Sequence, residues 1–232
     1  YFEWSADDDM PAGDPATWWA CHPALGFTID EKALAADFES MPRAEFERAY
    51  LARWPGRRHE RVISEEAWAA CLDVASTVVD PVVVAVDISP DRSTAALSAA
   101  GAREDGLLGV EVLRAEAGTS WVAPFVLAVL AKNDRAMVAL DGGSAAGSLL
   151  PDFAKAGVEP KVLGMRDVVR AAGLFFEQVA AGTLRHRGQV SLDAALGGAR
   201  KRPLGDAWAW GRATGVDICP LVSSSLALWA HS

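Results

Sequence analysis

At 232 residues, 51% apolar and 23% charged, the chain is long enough to bury at least one full core and has the composition of a soluble globular protein. No apolar run approaches the roughly 20 residues of a membrane-spanning helix, and the first residues lack the basic and apolar regions of a signal peptide, so the chain is expected to stay in the cell that makes it, with no membrane partner. The net charge of -9 runs against a nucleic-acid binder, whose affinity draws heavily on phosphate neutralisation.

Taken in chain order, residues 1–79 form a mainly helical, acidic segment rich in tryptophan. Tyr1-Phe2-Glu3-Trp4 reads as a short strand and, lacking an initiator methionine, as the middle of a longer protein. Residues 16–21 precede a turn at His22-Pro23, and residues 30–39 begin with acid, as helices do. Residues 43–54 place Phe46, Tyr50 and Trp54 four apart on one helical face, and Pro55-Gly56 ends that helix. Ser64-Glu65-Glu66 caps a further helix. Nothing in this segment points to catalysis.

From Pro81 the pattern changes, and residues 80–232 are expected to be a separate domain. Residues 82–86 are β-branched apart from one alanine and end at Asp87, which predicts a strand buried on both faces. Residues 93–100 follow a Ser-Pro-Asp-Arg turn and pair back as a second strand; residues 107–114 alternate as a third. A helix over 121–132, a strand over 136–140 ending at Asp141, a helix over 149–156, a strand over 161–163 and a helix over 168–181 come next. Residues 221–229 close the chain as an apolar helix. Three short-linked strands followed by right-handed crossovers make a mixed α/β sheet, antiparallel then parallel, with helices on both faces. The first and fourth strands then lie side by side.

The charge is unevenly spread. Residues 1–79 carry 15 acidic and 7 basic side chains, whereas residues 80–232 carry 16 and 15. Arg185, Arg187, Arg200, Lys201, Arg202 and Arg212 make a basic stripe within 183–214. Arg200, Lys201, Arg202 and Arg212 are candidates for phosphate contact, the first three on a flexible loop flanked by Gly-Gly and Pro. Trp208 and Trp210 are expected to pack a strand face. The three cysteines are widely spaced, with no pattern for zinc or a disulfide framework.

Two neighbouring strands that both end at an aspartate carry the chemistry. Ionised carboxylates there are costly unless exposed, paired or bound to a cation. Asp217, before the closing helix, can supply a third oxygen ligand. Hard carboxylate oxygens suit Mg²⁺ or Mn²⁺, and two such ions activate water and stabilise the leaving oxygen in phosphodiester hydrolysis. Each acid alone has a plainer reading: Asp87 and Asp141 as turn residues, Asp217 as a helix cap. Asp91 and Asp206 are weaker candidates with turn or solvent roles.

Val84-Ala85-Val86-Asp87-Ile88-Ser89-Pro90-Asp91, Val138-Ala139-Leu140-Asp141-Gly142, and Trp208-Ala209-Trp210-Gly211-Arg212 followed by Asp217-Ile218-Cys219-Pro220 resemble the large terminase subunits of tailed phages. Tyr1-Phe2-Glu3-Trp4-Ser5 and His22-Pro23-Ala24-Leu25-Gly26 resemble the segment that leaves that family's ATPase domain. The resemblance implies a ribonuclease-H-like endonuclease that cuts concatemeric double-stranded DNA during genome packaging. It implies metal binding at Asp87, Asp141 and Asp217, with Asp91 assisting. It also implies an ATPase domain in the same polypeptide, portal and small terminase subunits as partners, and a place in the host cytoplasm at the procapsid. No G-x-x-x-x-G-K-[ST] occurs, so ATP hydrolysis of the P-loop kind is not expected of these residues. Two alternatives remain: another nuclease of this fold, acting on junctions or RNA·DNA hybrids, and a non-catalytic binding module.

Overall fold

The structure, a computed structural model, describes residues 4–7, 10–53, 61–212 and 215–232. The chain divides into two compact units, Tyr1–Glu60 and Arg61–Ser232. The division therefore falls before the change in sequence character at residue 80, and the first helix of the second unit precedes its sheet.

In the first unit, α1 (Pro15–Cys21), α2 (Glu31–Ser40) and α3 (Arg43–Tyr50) pack around the buried Trp18, Leu34, Phe46 and Leu51. Carboxylates start the first two helices: the Ala16 N–H donates to Asp14 at 2.9 Å and the Ala33 N–H to Asp30 at 2.7 Å. Phe46 and Tyr50 share a face, as their spacing predicts, but α3 ends at Tyr50 because Ala52 turns left-handed, with φ 45°. Trp54 to Gly56 lie outside the described residues, as do Tyr1 to Glu3; Trp4 has no regular structure.

The second unit opens with α4 (Glu65–Ala70), capped by Ser64. Strands β1 (Val79–Ile88), β2 (Thr94–Ala102) and β3 (Leu108–Ala117) form an antiparallel meander. Then follow α5 (Val122–Leu130), β4 (Met137–Asp141), a 3-10 turn (Ala145–Leu149), α6 (Leu150–Lys155), β5 (Lys161–Leu163) and α7 (Met165–Ala180). β6 (Leu184–His186), α8 (Val190–Gly198), β7 (Ala199–Leu204), β8 (Ala207–Arg212) and α9 (Cys219–His231) complete it. The six-stranded sheet has the order β5-β4-β1-β2-β3-β6, with β4 parallel to β1, the mixed arrangement expected.

Strand alternation divides the core. Val84, Val86 and Ile88 of β1 and Val138 and Leu140 of β4 join the cluster with Val122, Val126 and Phe153. Val83 and Ala85 of β1 and Ala139 of β4 point the other way, into the cluster of α7 and α9. With side chains alternating strictly, Asp87 and Asp141 follow Ala85 and Ala139 onto that second face. Register agrees, since Val86 pairs with Leu140 and the acids come next on parallel strands.

Small residues bring α9 close to the same face. Ser98 on β2 is completely buried between Ala96 and Ala100, and its hydroxyl bonds Ser223 at 2.7 Å and Ser224 at 3.0 Å. These bonds satisfy hydroxyls that would otherwise be costly inside a core. They also seat the start of α9 beside the end of β1.

The stripe between residues 183 and 212 is more ordered than its sequence suggests. Arg200, Lys201 and Arg202 lie on β7, in a separate two-stranded hairpin with β8, and not on a flexible loop. The hairpin turns through Gly205, whose φ of 64° glycine adopts without strain, and Asp206.

Candidate active site

Asp87 ends the buried run of β1 with only 3% of its surface exposed. Its Oδ2 accepts a hydrogen bond from Arg212 Nη2 at 2.6 Å. The same guanidinium places Nη1 3.7 Å from Asp217 Oδ1 and 3.3 Å from Cys219 Sγ. Arg212 thus connects the end of β8, the end of β1 and the approach to α9. Asp217 Oδ1 also accepts the N–H of Cys219, the first residue of α9, at 2.9 Å. Asp217 lies one residue before the N-cap, Ile218, so it is not the helix cap itself, and its carboxylate both bonds the first helical N–H and joins the cluster.

The arginine does not fully offset the burial. Desolvation raises the Asp87 carboxyl from its ordinary value of 3.8 to about 6, with Arg212 pulling it down and Asp217 pushing it up. A carboxylate shifted in this way is one for which added positive charge would be favourable.

Asp141 lies half-buried at the end of β4, where its Oδ1 accepts the Gly143 N–H at 2.9 Å. The turn after it is closely packed. A Cβ on Gly142 would strike Val162 of β5, and one on Gly147 would strike the Gly142 carbonyl. The lack of a side chain at Gly147 lets the 3-10 turn approach the Asp-Gly-Gly turn, and its lack at Gly142 lets that turn lie against β5.

Asp87 and Asp141 line one cavity of about 700 Å³, together with Arg92, Arg202, Arg212 and Trp210. Trp210 packs in the core and donates to Ser225 of α9 at 2.9 Å, so it fixes the hairpin to the helix, as a strand-face role requires. Asp91 is placed differently. Its Oδ1 accepts from Ser89 Oγ at 2.7 Å, from Ser93 N at 3.1 Å and from Ser93 Oγ at 2.8 Å, and these bonds hold its carboxyl down at about 2. Lys201 sets its Nζ over the Phe176 and Trp208 rings, 5.0 Å from each centroid. Arg200 lies further along the hairpin, partly buried.

The carboxylates suit a divalent cation in donor type, being hard oxygens from adjacent strand ends. Among the described residues, however, no group of three His, Cys, Asp or Glu is arranged to hold a metal ion. Arg212, in contact with Asp87 and Asp217, supplies the positive charge there. Sequence reasoning placed Arg212 on the DNA side; its bond to Asp87 spans 125 residues and no local spacing signals it. Arg92 and Cys219 were not singled out either, although Arg92 follows directly on Asp91 in a recognisable turn.

No protein-family model and no curated protein matches the chain. Among solved structures, the chain is similar to the large terminase of bacteriophage HK97, with a TM-score of 0.60 and 18% identity over 98% of this chain and 56% of that one. It is also similar to the large terminase nuclease from thermophilic phage G20c, at a TM-score of 0.54 and 13% identity, over 72% of this chain and 96% of that one. A mutant nuclease domain of the large terminase subunit of bacterial virus Sf6, solved with manganese, gives a TM-score of 0.51 and 12% identity over 71% and 96%. The chain spans little more than half the length of the HK97 protein. The mixed sheet, the order of its strands and these likenesses together show that this chain has the fold of the large terminase nuclease domain.

Proposed function

We propose that the second unit is a divalent-metal-dependent endonuclease that cuts double-stranded DNA during phage genome packaging. One observation carries this reading: Asp87 and Asp141, on adjacent parallel strand ends and one sheet face, line a single cavity, and Arg212 ties Asp217 to Asp87. The metals solved with similar domains, manganese for Sf6 and cobalt for G20c, support it.

In this reading Asp87, Asp141 and Asp217 hold Mg²⁺ or Mn²⁺, as one ion or a pair. Bound there, a divalent cation would supply Lewis-acid stabilisation of the phosphodiester and a more acidic water. The protein contributes the rest. Burial keeps Asp87 poised to lose its proton when positive charge is added, and α9, fixed to β2 through Ser98, keeps Asp217 near. Arg212 neutralises the acids until a cation does so, and is then free to meet a phosphate. Arg202 faces the same cavity and Arg200 shares its strand, so both can hold the DNA backbone. Asp91 orders the turn through Oδ1, which accepts from Ser89 and Ser93, and assists the three acids from beside them.

The setting follows from the same reading. In it, residues 1–79 continue from an ATPase domain of the same polypeptide. Portal and small terminase subunits are partners at the procapsid in the host cytoplasm. No described helix is long and apolar enough to cross a membrane.

Supercoiled plasmid with Mn²⁺ tests the activity. The parent is expected to nick and then linearise it, and Asp87→Ala to leave it intact. Equal cutting by the variant would overturn the site. A preference for branched DNA or RNA·DNA hybrid over plain duplex would move the chain to another nuclease of this fold.

A further inference from the structure

Three arginines line the cavity: Arg92, Arg202 and Arg212. Arg212 is bonded to acids. Arg92 differs: it lines the cavity with Asp87 and Asp141, yet among the described residues it has no carboxylate partner. The adjacent Asp91 turns its Oδ1 to Ser89 and Ser93 and makes no ion pair with Arg92. Among the described residues the Arg92 guanidinium donates once, from Nη1 to Ser148 Oγ at 2.9 Å. That bond carries the guanidinium from the turn after β1 to the 3-10 turn after β4, across the two segments that follow the acids. A guanidinium has five donors, so most remain for a ligand.

The backbone adds a second observation. Arg92 has φ 60°, a left-handed conformation that glycine or asparagine adopts more cheaply than a long side chain. Strain of this kind persists where a side chain does something its replacement could not.

We propose that Arg92 is a positioning residue that grips a backbone phosphate of duplex DNA beside the acids, in the cavity that Arg202 of the hairpin also lines. This rests on the nuclease reading above. Arg202 also lines the cavity and, among the described residues, has no carboxylate partner, so two guanidinium groups are available to the strand to be cut.

The test is binding of a labelled duplex across a salt series with Ca²⁺ in place of Mn²⁺, for the parent, Arg92→Gly and Arg92→Lys. Glycine removes the guanidinium and relieves the strained φ, so the fold is kept and thermal stability is equal or higher. Loss of one phosphate contact predicts binding about tenfold weaker near 0.1 M salt and a salt slope shallower by about 1. Arg92→Lys should restore the slope. With Mn²⁺ and plasmid, Arg92→Gly should raise KM more than it lowers kcat. An unchanged slope and affinity for Arg92→Gly, with cutting by the parent intact, would overturn the role of Arg92 alone. A parent that neither binds nor cuts duplex overturns both readings together.

Discussion

Two arginines in the second unit each hold a pair of aspartates, and their environments lead to opposite consequences. Arg103 reaches Asp73 and Asp105 at 2.9 Å each, beside the turn between β2 and β3, where the acids are 31% and 46% exposed. Arg212 reaches Asp87 at 2.6 Å and Asp217 at 3.7 Å, and Asp87 is 4% exposed. At the first clasp, the Arg103 hydrogen bond and the Leu107 N–H hold Asp105 below the usual carboxylate range, so ionisation there favours the fold. At the second, burial outweighs the arginine and Asp87 rises to about 6. Similar partners thus give a surface clasp in one place and an under-compensated acid in the other. A protein retains the second kind where function needs the charge.

The sharpest way to break this comparison is activity. Asp87→Ala or Asp141→Ala should lower Mn²⁺-dependent nicking by about a thousandfold or more, equivalent to about 4 kcal/mol of lost transition-state stabilisation. Asp105→Ala, at the clasp, should cut as the parent does. Comparable losses from both would mean the variants report folding rather than chemistry.

Stability should divide the two sites in the opposite sense. Asp87 has a folded value above its unfolded one, so it favours folding fully below about pH 3.8, and that contribution is lost as pH rises through about 6. Asp87→Asn should therefore be more stable than the parent by up to about 3 kcal/mol at pH 8, less what Arg212 loses with its partner, and the gap should close by pH 4. Asp105 is depressed, so its contribution is present above its ordinary value and lost as pH falls through the lower folded one. Asp105→Asn should be the less stable variant at neutral pH and indistinguishable in strong acid. Urea melts at stepped pH check both signs.

A smaller effect concerns the arginine itself. If Arg212 stands where positive charge is needed, Arg212→Ala should bind Mn²⁺ about tenfold more tightly in calorimetry without DNA, the order expected for removing one competing ion pair. Arg103→Ala should leave Mn²⁺ affinity unchanged. Unaltered affinity in Arg212→Ala would show that the arginine and the cation do not compete.

Much of the architecture was legible because it is periodic. The β-branched run ending at Asp87, the alternation of β3 and the short strand ending at Asp141 each carry a local signature, and the antiparallel-then-parallel order followed from connection lengths. That the first and fourth strands lie side by side and each end at an acid was legible; that the two acids share one face came from the register and the division of the core. The elements between residues 183 and 212 were harder to read. β6 has only three residues, too few for periodicity, and α8 is apolar on several sides as it enters the core. β7 carries three consecutive basic residues after Ala199 and looks like solvated loop until Gly205 and Asp206 are recognised as a hairpin turn. The role of Arg212 was not legible at all, since it depends on a tertiary contact between distant strand ends. The surroundings of Asp91 were not legible for a related reason: only the fold brings Ser89 and Ser93 onto one of its oxygens.

Crystals soaked in Mn²⁺ and measured for anomalous scattering test the central claim most directly. Anomalous density is expected against Asp87, Asp141 and Asp217, with Arg212 no longer bonded to Asp87. Saturating Mn²⁺ that leaves the Arg212 bond in place and no density at these acids would contradict it.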